Sequence, residues 1–202
     1  MKYAILGCMV LLLASCSDAG INNHLPSKGK PVIVLQPLGD FPKRDLFFLK
    51  DSIAKFYPVI VSIAPQKQAP ANAWYEPRKR WVADTILNWL RASIADSIRL
   101  TIGLIADDIS TTKGTIKNYG IMGLGNCPGR TCTVSSFRLT KNIRSQQQFQ
   151  QRLFKVVAHE MGHNFGLPHC PDQQCIMVDA EGKMKLEGEK GLCDNCKKKL
   201  KI

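Results

Sequence analysis

Four residues near position 160 have the types and spacing of a metal-dependent hydrolytic site. His159, Glu160, His163 and His169 fall in the pattern H-E-x-x-H-x-x-G-x-x-H. Residues four apart share one face of a helix, so the first two imidazoles can reach one ion. Neutral imidazoles suit zinc, which in catalytic sites takes three protein ligands and keeps a fourth position for water. Glu160 adjoins the first ligand, where its carboxylate can take a proton from that water.

The residues after this helix explain how the third histidine reaches the metal. Gly166 permits the left-handed turn that ends a helix, and Pro168 prevents its continuation, so the chain can bring His169 back. A bare H-E-x-x-H arises by chance in many helices, but this longer pattern contains three of the chain's four histidines. The fourth, His24, lies in a polar stretch and is expected to be a solvated loop residue. The sequence therefore predicts a catalytic zinc bound by the three clustered histidines.

A second group of metal-binding residue types follows at once. Cys170, Cys175, Cys193 and Cys196 end in a C-x-x-C pair. Four thiolates suit a closed, tetrahedral structural zinc, and Cys170 adjoins His169, so such a site would also hold the third histidine in place. Two other interpretations stay open at this point. One is a pair of disulfides in an oxidising compartment, and the other is a thioredoxin-like redox site at Cys193 and Cys196.

The run from His159 to Cys196 resembles the archaemetzincin family of metzincin-like zinc metallopeptidases. Besides the histidines it contains H-C-x4-C-x-M and a later C-x-x-C, so every ligand position of the family pattern is occupied. Two upstream stretches are also similar, Trp74-Tyr75-Glu76-Pro77-Arg78 and Val134-Ser135-Ser136-Phe137-Arg138-Leu139. The resemblance extends over residues 31–198, nearly the whole chain after its first segment.

The resemblance implies a fold and a set of site residues. The expected fold class is α/β (α+β metzincin-like), with a twisted mixed sheet, an edge strand over the cleft, an active-site helix and a small C-terminal subdomain around a zinc bound by four cysteines. Two zinc ions are implied, one catalytic and one structural. Met177 is placed in a tight turn beneath the catalytic metal, where it packs rather than binds. The residues given to the edge strand, with which a peptide or protein substrate would pair through its main chain, are Thr131, Cys132, Thr133, Val134 and Ser135.

The activity that the resemblance implies is hydrolysis of peptide bonds by a zinc-activated water, with Glu160 as general base and then general acid. Two other functions use the same residues. A zinc-containing envelope binding protein or latent protease would keep the metal with little turnover, although loss of the base is the simplest way to such a protein and Glu160 is present. A redox or disulfide protein would use the cysteine pairs but leaves the histidine pattern unexplained.

The elements that must position these residues alternate along the chain. The predicted strands are Val32–Leu35, Val59–Ile63, Ile98–Ile105 and Thr131–Leu139. The predicted helices are Arg44–Lys55, one that opens at Pro77, and the active-site helix, which opens at a Ser145–Gln148 capping box. Phe149, Leu153, Val156 and Val157 give that last helix an apolar face. The alternation of strands and helices predicts an α/β layer.

Two smaller features have structural explanations. Asp107 and Asp108 follow a strand, where paired carboxylates most often belong to a turn. Cys127 and Cys132 flank a Pro-Gly turn outside the zinc pattern, and they are either a disulfide or two free buried thiols. We prefer the disulfide for a protein that is exported.

The start of the sequence predicts export and attachment to a membrane. A mostly apolar stretch follows Lys2, but at about 12 residues it is too short to span a bilayer, which needs about 20. Leu13-Ala14-Ser15-Cys16 resembles a bacterial lipobox, in which the chain is cut before the cysteine and a lipid is attached to its sulfur. An ordinary secretory signal with a chance cysteine is the alternative. The expected segments are a removed signal peptide at 1–15, a tether at 16–30, and a single peptidase domain at 31–202, divided into an N-terminal part 31–166 and a zinc-knot part 167–202.

The charge balance favours an anionic environment. The chain carries a formal net charge of +12, and removal of the signal peptide with Lys2 would leave +11. Such a charge favours lipid headgroups or acidic cell-envelope polymers. No nucleic-acid motif accompanies it, so nucleic acid is not an expected partner. We predict a monomer in the bacterial cell envelope, lipid-anchored to the outer or cytoplasmic membrane.

Overall fold

The structure is a computed structural model that describes residues 29–179, 191–200 and 202. The predicted signal peptide, the lipidation site at Cys16 and the loop residue His24 lie outside the described residues. In chain order the elements are β1 (Val32–Leu38), α1 (Lys43–Phe56), β2 (Ile60–Ile63), β3 (Trp74–Tyr75), β4 (Arg80–Val82), α2 (Ala83–Ala92), β5 (Leu100–Ile105), β6 (Ile109–Lys113), β7 (Ile116–Ile121), β8 (Gly123–Gly125), β9 (Thr131–Ser135), α3 (Gln146–Asn164) and α4 (Asp194–Lys199).

The strands form two mixed sheets, which confirms the predicted fold class. The larger sheet has the order β2-β1-β5-β9-β8, and only β8 runs antiparallel to its neighbour. The smaller sheet has the order β3-β4-β6-β7. The smaller sheet was not predicted, because its strands are short and because positive φ angles at Lys79, Gly114 and Asn118, the last of them inside β7, interrupt the regular strand pattern.

Helices cover both faces of the larger sheet. Apolar residues of β1, β5 and β9 pack with α1 and α3 in the main core, and this core extends to the C-terminal cysteines. On the opposite face, α2 packs Ile86 and Leu90 against Leu38 and Ile105 in a second core. Successive side chains of a strand point to opposite faces of the sheet, so the larger sheet contributes residues to both cores. The described residues contain no helix that is long and apolar enough to cross a membrane.

The active-site helix begins where the sequence predicts. Ser145 Oγ accepts a hydrogen bond from Gln148 N at 3.1 Å, which satisfies one free amide of the first turn. Gln148 Oε1 in turn accepts from the backbone of Arg144 at 2.6 Å. Phe149, Leu153, Val156 and Val157 are all buried in the main core, as the apolar pattern indicates. Farther along, Tyr57 of the segment after α1 donates its hydroxyl to Ala158 O at 2.8 Å, directly before the first motif histidine.

Two sequence predictions about single elements are wrong. The helix expected to open at Pro77 begins at Ala83 instead, because Glu76–Arg78 forms a 3-10 turn and Arg80–Val82 pairs as β4 with its neighbours. The strand expected to reach Leu139 ends at Ser135, and a 3-10 turn follows at Phe137–Thr140. Local sheet pairing overrides helical periodicity in the first case.

The prediction of the edge strand is also wrong. The stretch from Thr131 to Ser135 forms β9, which lies between β5 and β8 and is paired on both sides. Its main chain has no free edge to offer a substrate. All five of its residues are buried, and the Thr133 hydroxyl donates to Gly103 O at 3.2 Å. Its alternating polar side chains, Thr131, Thr133 and Ser135, are therefore interior residues, which is why the pattern was misleading.

The two aspartates after β5 have different surroundings. Asp108 is buried, and its carboxylate accepts hydrogen bonds from Arg138 Nε and Nη2 at 2.8 and 2.9 Å. It also forms an ion pair with Arg80, whose Nε lies 2.7 Å from Oδ2. Asp107 is exposed and accepts a hydrogen bond from Trp81 Nε1 at 3.0 Å. Asp108 thus connects β4 and the turn after β9 by charge pairs, and it is not a simple turn residue.

This difference gives a stability prediction. Asp108→Ala leaves two partly buried guanidinium groups without their anion, and we expect a loss of about 2–4 kcal/mol in the free energy of unfolding. Asp107→Ala removes one exposed hydrogen bond, so its loss should stay below about 1 kcal/mol. Urea unfolding of both variants and of the wild type measures these differences in the free energy of unfolding. Equal losses for the two variants would contradict the assignment of Asp108 as the structural member of the pair.

Candidate active site

The three motif histidines lie together at the C-terminal half of α3. One ring nitrogen of each of His159, His163 and His169 falls in a group whose atoms all lie within 4.8 Å of one another. The Nε2 atoms of His159 and His163 are 3.1 Å apart. Two nitrogen ligands of a tetrahedral zinc, each about 2.0–2.1 Å from the metal, are separated by about 3.3 Å. The first two histidines therefore have nearly the spacing that a zinc ion requires.

Backbone carbonyls orient the first two rings. His159 Nδ1 lies 2.8 Å from Ile176 O, and His163 Nδ1 lies 2.8 Å from Leu167 O. A carbonyl only accepts, so each Nδ1 carries the hydrogen and donates, and each Nε2 presents its lone pair to the centre of the cluster. The turn that provides Leu167 O begins at Gly166, whose φ of +88° confirms the predicted left-handed turn.

Burial keeps these rings neutral. Desolvation lowers the pKa of His159 to about 4, and it also lowers the pKa of His163. Both rings are therefore in the neutral form at pH 7, which is the form that binds a metal. The third histidine is different, because 48% of its side chain is exposed.

Glu160 is a buried carboxylate directly beside the first histidine. Burial raises its pKa to about 8, while a hydrogen bond from the backbone N–H of Gly125 acts in the opposite direction and favours the ionised form. A carboxyl whose pKa lies near neutrality can both accept and return a proton, which is the requirement for a general base that later acts as an acid.

The edge strand β8 of the larger sheet passes directly over this carboxylate. A Cβ on Gly123 would lie 2.7 Å from Glu160 Oε1, and a Cβ on Gly125 would lie 3.2 Å from Glu160 Oε2. The strand β8 can approach Glu160 this closely because both residues are glycines. Sequence reasoning missed this strand, although the Gly-Leu-Gly alternation is a signal of close backbone approach.

This contact predicts a specific loss of activity. Gly123→Ala would push the Glu160 carboxylate from its position, and we expect kcat for peptide hydrolysis to fall about 10–100-fold. The backbone φ of Gly123 is not positive, so the fold should tolerate alanine. Gly191→Ala is the matched control, because a Cβ there meets nothing within 4 Å. Equal activity of the two variants would show that Glu160 does not depend on the bare edge of β8.

Residues 175–179, which we name the Met177 turn, lie beneath the histidines. Met177 is fully buried, and its sulfur is the atom nearest to the position that a Cβ on Gly162 would take. The carbonyl of Met177 accepts from Cys170 N at 2.8 Å, which ties the turn to the residue after His169. The turn thus contacts α3 at Gly162, holds His159 through Ile176 O, and borders His169.

The four C-terminal cysteines also lie together. Their sulfurs fall within 4.8 Å of one another, with Cys170 and Cys193 3.8 Å apart and Cys175 and Cys196 3.7 Å apart. Four thiolates on a tetrahedral zinc, each about 2.3 Å from the metal, are separated by about 3.8 Å. A disulfide would require about 2.05 Å. The spacing therefore fits a shared metal ion, and it does not fit the two disulfides that the sequence left open.

The electrostatic surroundings of the sulfurs agree with this fit. The backbone N–H of Cys196 lowers the pKa of Cys193, and the backbone N–H of Cys193 donates to Cys175 Sγ at 3.4 Å. Burial raises the pKa of Cys196 in the absence of a cation. A cluster of this kind holds several thiolates only when a positive ion balances them.

The preferred disulfide between Cys127 and Cys132 is not formed. Both are free thiols, and they face different surroundings. Cys132 is buried in β9 within the main core, whereas Cys127 is exposed and its sulfur lies 3.5 Å from Leu167 O. The turn between them places one side chain inward and the other outward, so proximity in sequence does not bring the sulfurs together.

Comparison with known proteins agrees with this geometry. A model of peptidase family M54 matches residues 49–202. The archaemetzincin of Halobacterium salinarum is 30% identical over 171 residues, which are 80% of this chain and 95% of that protein. The archaemetzincin of Methanopyrus kandleri is 30% identical over 128 residues, 63% of this chain and 69% of that protein.

Two solved structures have the same fold. The crystal structure of archaemetzincin from Archaeoglobus fulgidus, complexed with malonate, matches with a TM-score of 0.71 at 25% identity and covers 84% of this chain and 99% of that chain. The archaemetzincin structure from Methanopyrus kandleri matches with a TM-score of 0.72 at 24% identity, covering 86% of this chain and 95% of that chain. The residues that the family model matches, 49–202, include both the histidine motif and the cysteine cluster.

Proposed function

This chain belongs to peptidase family M54 and is a zinc metallopeptidase, and on that basis we propose that it uses two zinc ions with separate roles. His159, His163 and His169 would hold the catalytic ion. Cys170, Cys175, Cys193 and Cys196 would hold the structural ion. The support is the spacing of the donor atoms, which in both clusters lie within 4.8 Å of one another.

Glu160 would do the proton transfers of the reaction. A zinc ion at the histidine site supplies charge that polarises the peptide carbonyl and makes water more acidic. The Glu160 carboxylate would accept a proton from the attacking water and return it to the nitrogen of the leaving amine. The hydrogen bond from Gly125 N–H favours the ionised form that accepts the proton, and burial, which raises the pKa of Glu160 to about 8, favours the protonated form that returns it.

The free edge of β8 would bind the substrate. Gly123 and Gly125 border Glu160 and carry no side chains, so an extended peptide can approach the main chain of this strand closely. Pairing through backbone hydrogen bonds tolerates many side chains, and side pockets then set any preference. This proposal transfers the role predicted for residues 131–135 to residues 123–125.

The observation that carries the proposal is the buried Glu160 carboxylate between the histidine cluster and the glycine edge. Its test is digestion of a diverse peptide mixture, read by mass spectrometry, with zinc-loaded wild type beside His163→Ala. We expect new peptide termini with the wild type and none with the variant. Termini of equal number from both proteins would refute the histidine site as the catalytic centre. No cleavage by a folded, zinc-loaded wild type would favour the binding-protein alternative.

We also propose that Cys16 carries a lipid that anchors the enzyme in the bacterial cell envelope. The support is the Leu13-Ala14-Ser15-Cys16 pattern after a short apolar stretch. Intact-mass analysis of protein extracted from membranes should show cleavage before Cys16 and an added diacylglycerol, and Cys16→Ser should abolish both. An unmodified Cys16 in the mature protein would refute the anchor. The monomeric state stays a prediction.

A further inference from the structure

The third histidine lacks the support that holds the other two. His159 and His163 project from α3 and point their Nδ1 atoms at backbone carbonyls 2.8 Å away. His169 lies in the loop after the helix, and 48% of its side chain is exposed. Zinc ligands must be held close to one geometry for catalysis, so an exposed loop histidine needs another group to fix its ring.

We propose that Asp179 is the positioning residue for His169, and that its carboxylate fixes the ring with Nε2 toward the metal. This inference rests on the proposed catalytic zinc. Asp179 Oδ2 lies 3.5 Å from His169 Nδ1, within the range of an ion pair and slightly long for a direct hydrogen bond. The arrangement repeats what the other two rings show, because in all three the Nδ1 atom faces an oxygen.

The backbone brings Asp179 to this place. Cys170 and Val178 form an isolated parallel bridge, and Cys170 N donates to Met177 O at 2.8 Å. The residue before Cys170 is His169, and the residue after Val178 is Asp179, so the two residues lie diagonally across this short parallel pairing, where their side chains reach each other. The same Met177 turn therefore supports the ring of His159 through Ile176 O and the ring of His169 through Asp179.

The carboxylate adds charge as well as direction. A carboxylate that accepts from the second ring nitrogen makes an imidazole more basic and a stronger metal ligand. The charge of Asp179 also reaches the other two histidines, where it raises the pKa against the larger lowering effect of burial. Between two exposed side chains such a pair adds little to stability, so its effect should be seen in metal binding rather than in folding.

The test measures zinc retention at the histidine site of the full-length protein. Zinc-loaded protein is titrated with a competing chelator, and the two ions are counted as they leave. We expect Asp179→Ala to weaken binding of one zinc about 10–100-fold and to leave the other zinc and the melting temperature unchanged. Asp179→Asn keeps an acceptor oxygen without the charge, so its zinc affinity should lie between those of Asp179→Ala and the wild type. Asp179→Glu keeps the charge and should bind zinc more tightly than Asp179→Ala.

Two reference variants separate the possible failures. Asp172→Ala removes an exposed aspartate of the neighbouring loop, which accepts from Gln174 N at 2.8 Å, and it should behave as the wild type. His169→Ala should lose one zinc. If His169→Ala loses zinc while Asp179→Ala retains it as the wild type does, the role of Asp179 is refuted and the proposed zinc site stands. If His169→Ala also retains both ions, the histidine ligand set itself is refuted, and this inference with it.

Discussion

Replacing Glu160 with glutamine is expected to lower kcat/KM for peptide hydrolysis by about 10²–10⁴-fold, the usual contribution of a general base. Glutamine has nearly the same shape and can still accept from Gly125 N–H, but it cannot take a proton from water. The histidines keep their carbonyl partners, so the zinc content should stay equal to that of the wild type. Steady-state kinetics on a cleaved peptide, together with metal analysis, measure both quantities.

The control for this variant is Glu76→Gln. Glu76 is exposed and accepts a hydrogen bond from Trp74 Nε1 on the smaller sheet, where it borders neither the histidines nor β8. Its kinetics should match those of the wild type. If Glu160→Gln kept activity within about threefold of the wild type, a different residue would have to be the base, because general-base loss costs far more than that.

Removal of one cysteine of the C-terminal cluster is expected to have the second large effect. Cys196→Ser should reduce the zinc content from two ions to one, since a closed structural site needs all four ligands. Binding of a structural zinc contributes about 10–16 kcal/mol in small domains, comparable to the whole stability of a domain. We therefore expect residues near the cluster to unfold locally and the melting temperature to fall by several degrees or more.

The same variant should also lose peptidase activity, although Cys196 lies outside the catalytic site. Cys170 adjoins His169, and Cys175 adjoins Ile176, whose carbonyl holds His159 at 2.8 Å. Loss of the cluster should therefore loosen two of the three proposed catalytic ligands at once. Cys127→Ser is the matched control, because Cys127 is an exposed free thiol outside the cluster. Two retained zinc ions in Cys196→Ser, or equal effects of both variants, would contradict the structural zinc.

The clustering of the candidate ligand residues could be predicted from the sequence because their spacing is local. The pair His159 and His163 is four residues apart on one helix, and the helix start at Ser145 follows from its capping pattern. The order of strands in the larger sheet depends on pairings between distant segments, and no local pattern reports it. For this reason Thr133 was predicted on an edge and lies in the interior, while Gly123 was not predicted and forms the edge.

The supporting contacts were equally hidden from sequence reasoning. A backbone carbonyl such as Leu167 O or Ile176 O has no residue-type signal, because every residue has one. Asp179 has a distinctive side chain, but only the bridge between Cys170 and Val178 places it beside a histidine. The sequence thus reveals which atoms can bind the metal, and the tertiary structure reveals which atoms hold them in position.

The short length of β8 has a consequence for inhibitor design. The strand offers only residues 123–125, and one of its backbone amides, Gly125 N–H, already donates to Glu160. A peptide-like inhibitor can therefore gain main-chain hydrogen bonds over a short segment, and further residues in that direction would add ordering cost without new bonds. Compact compounds that join a metal-binding group to a flat, amide-containing fragment should consequently bind with higher efficiency per atom than long peptide mimics.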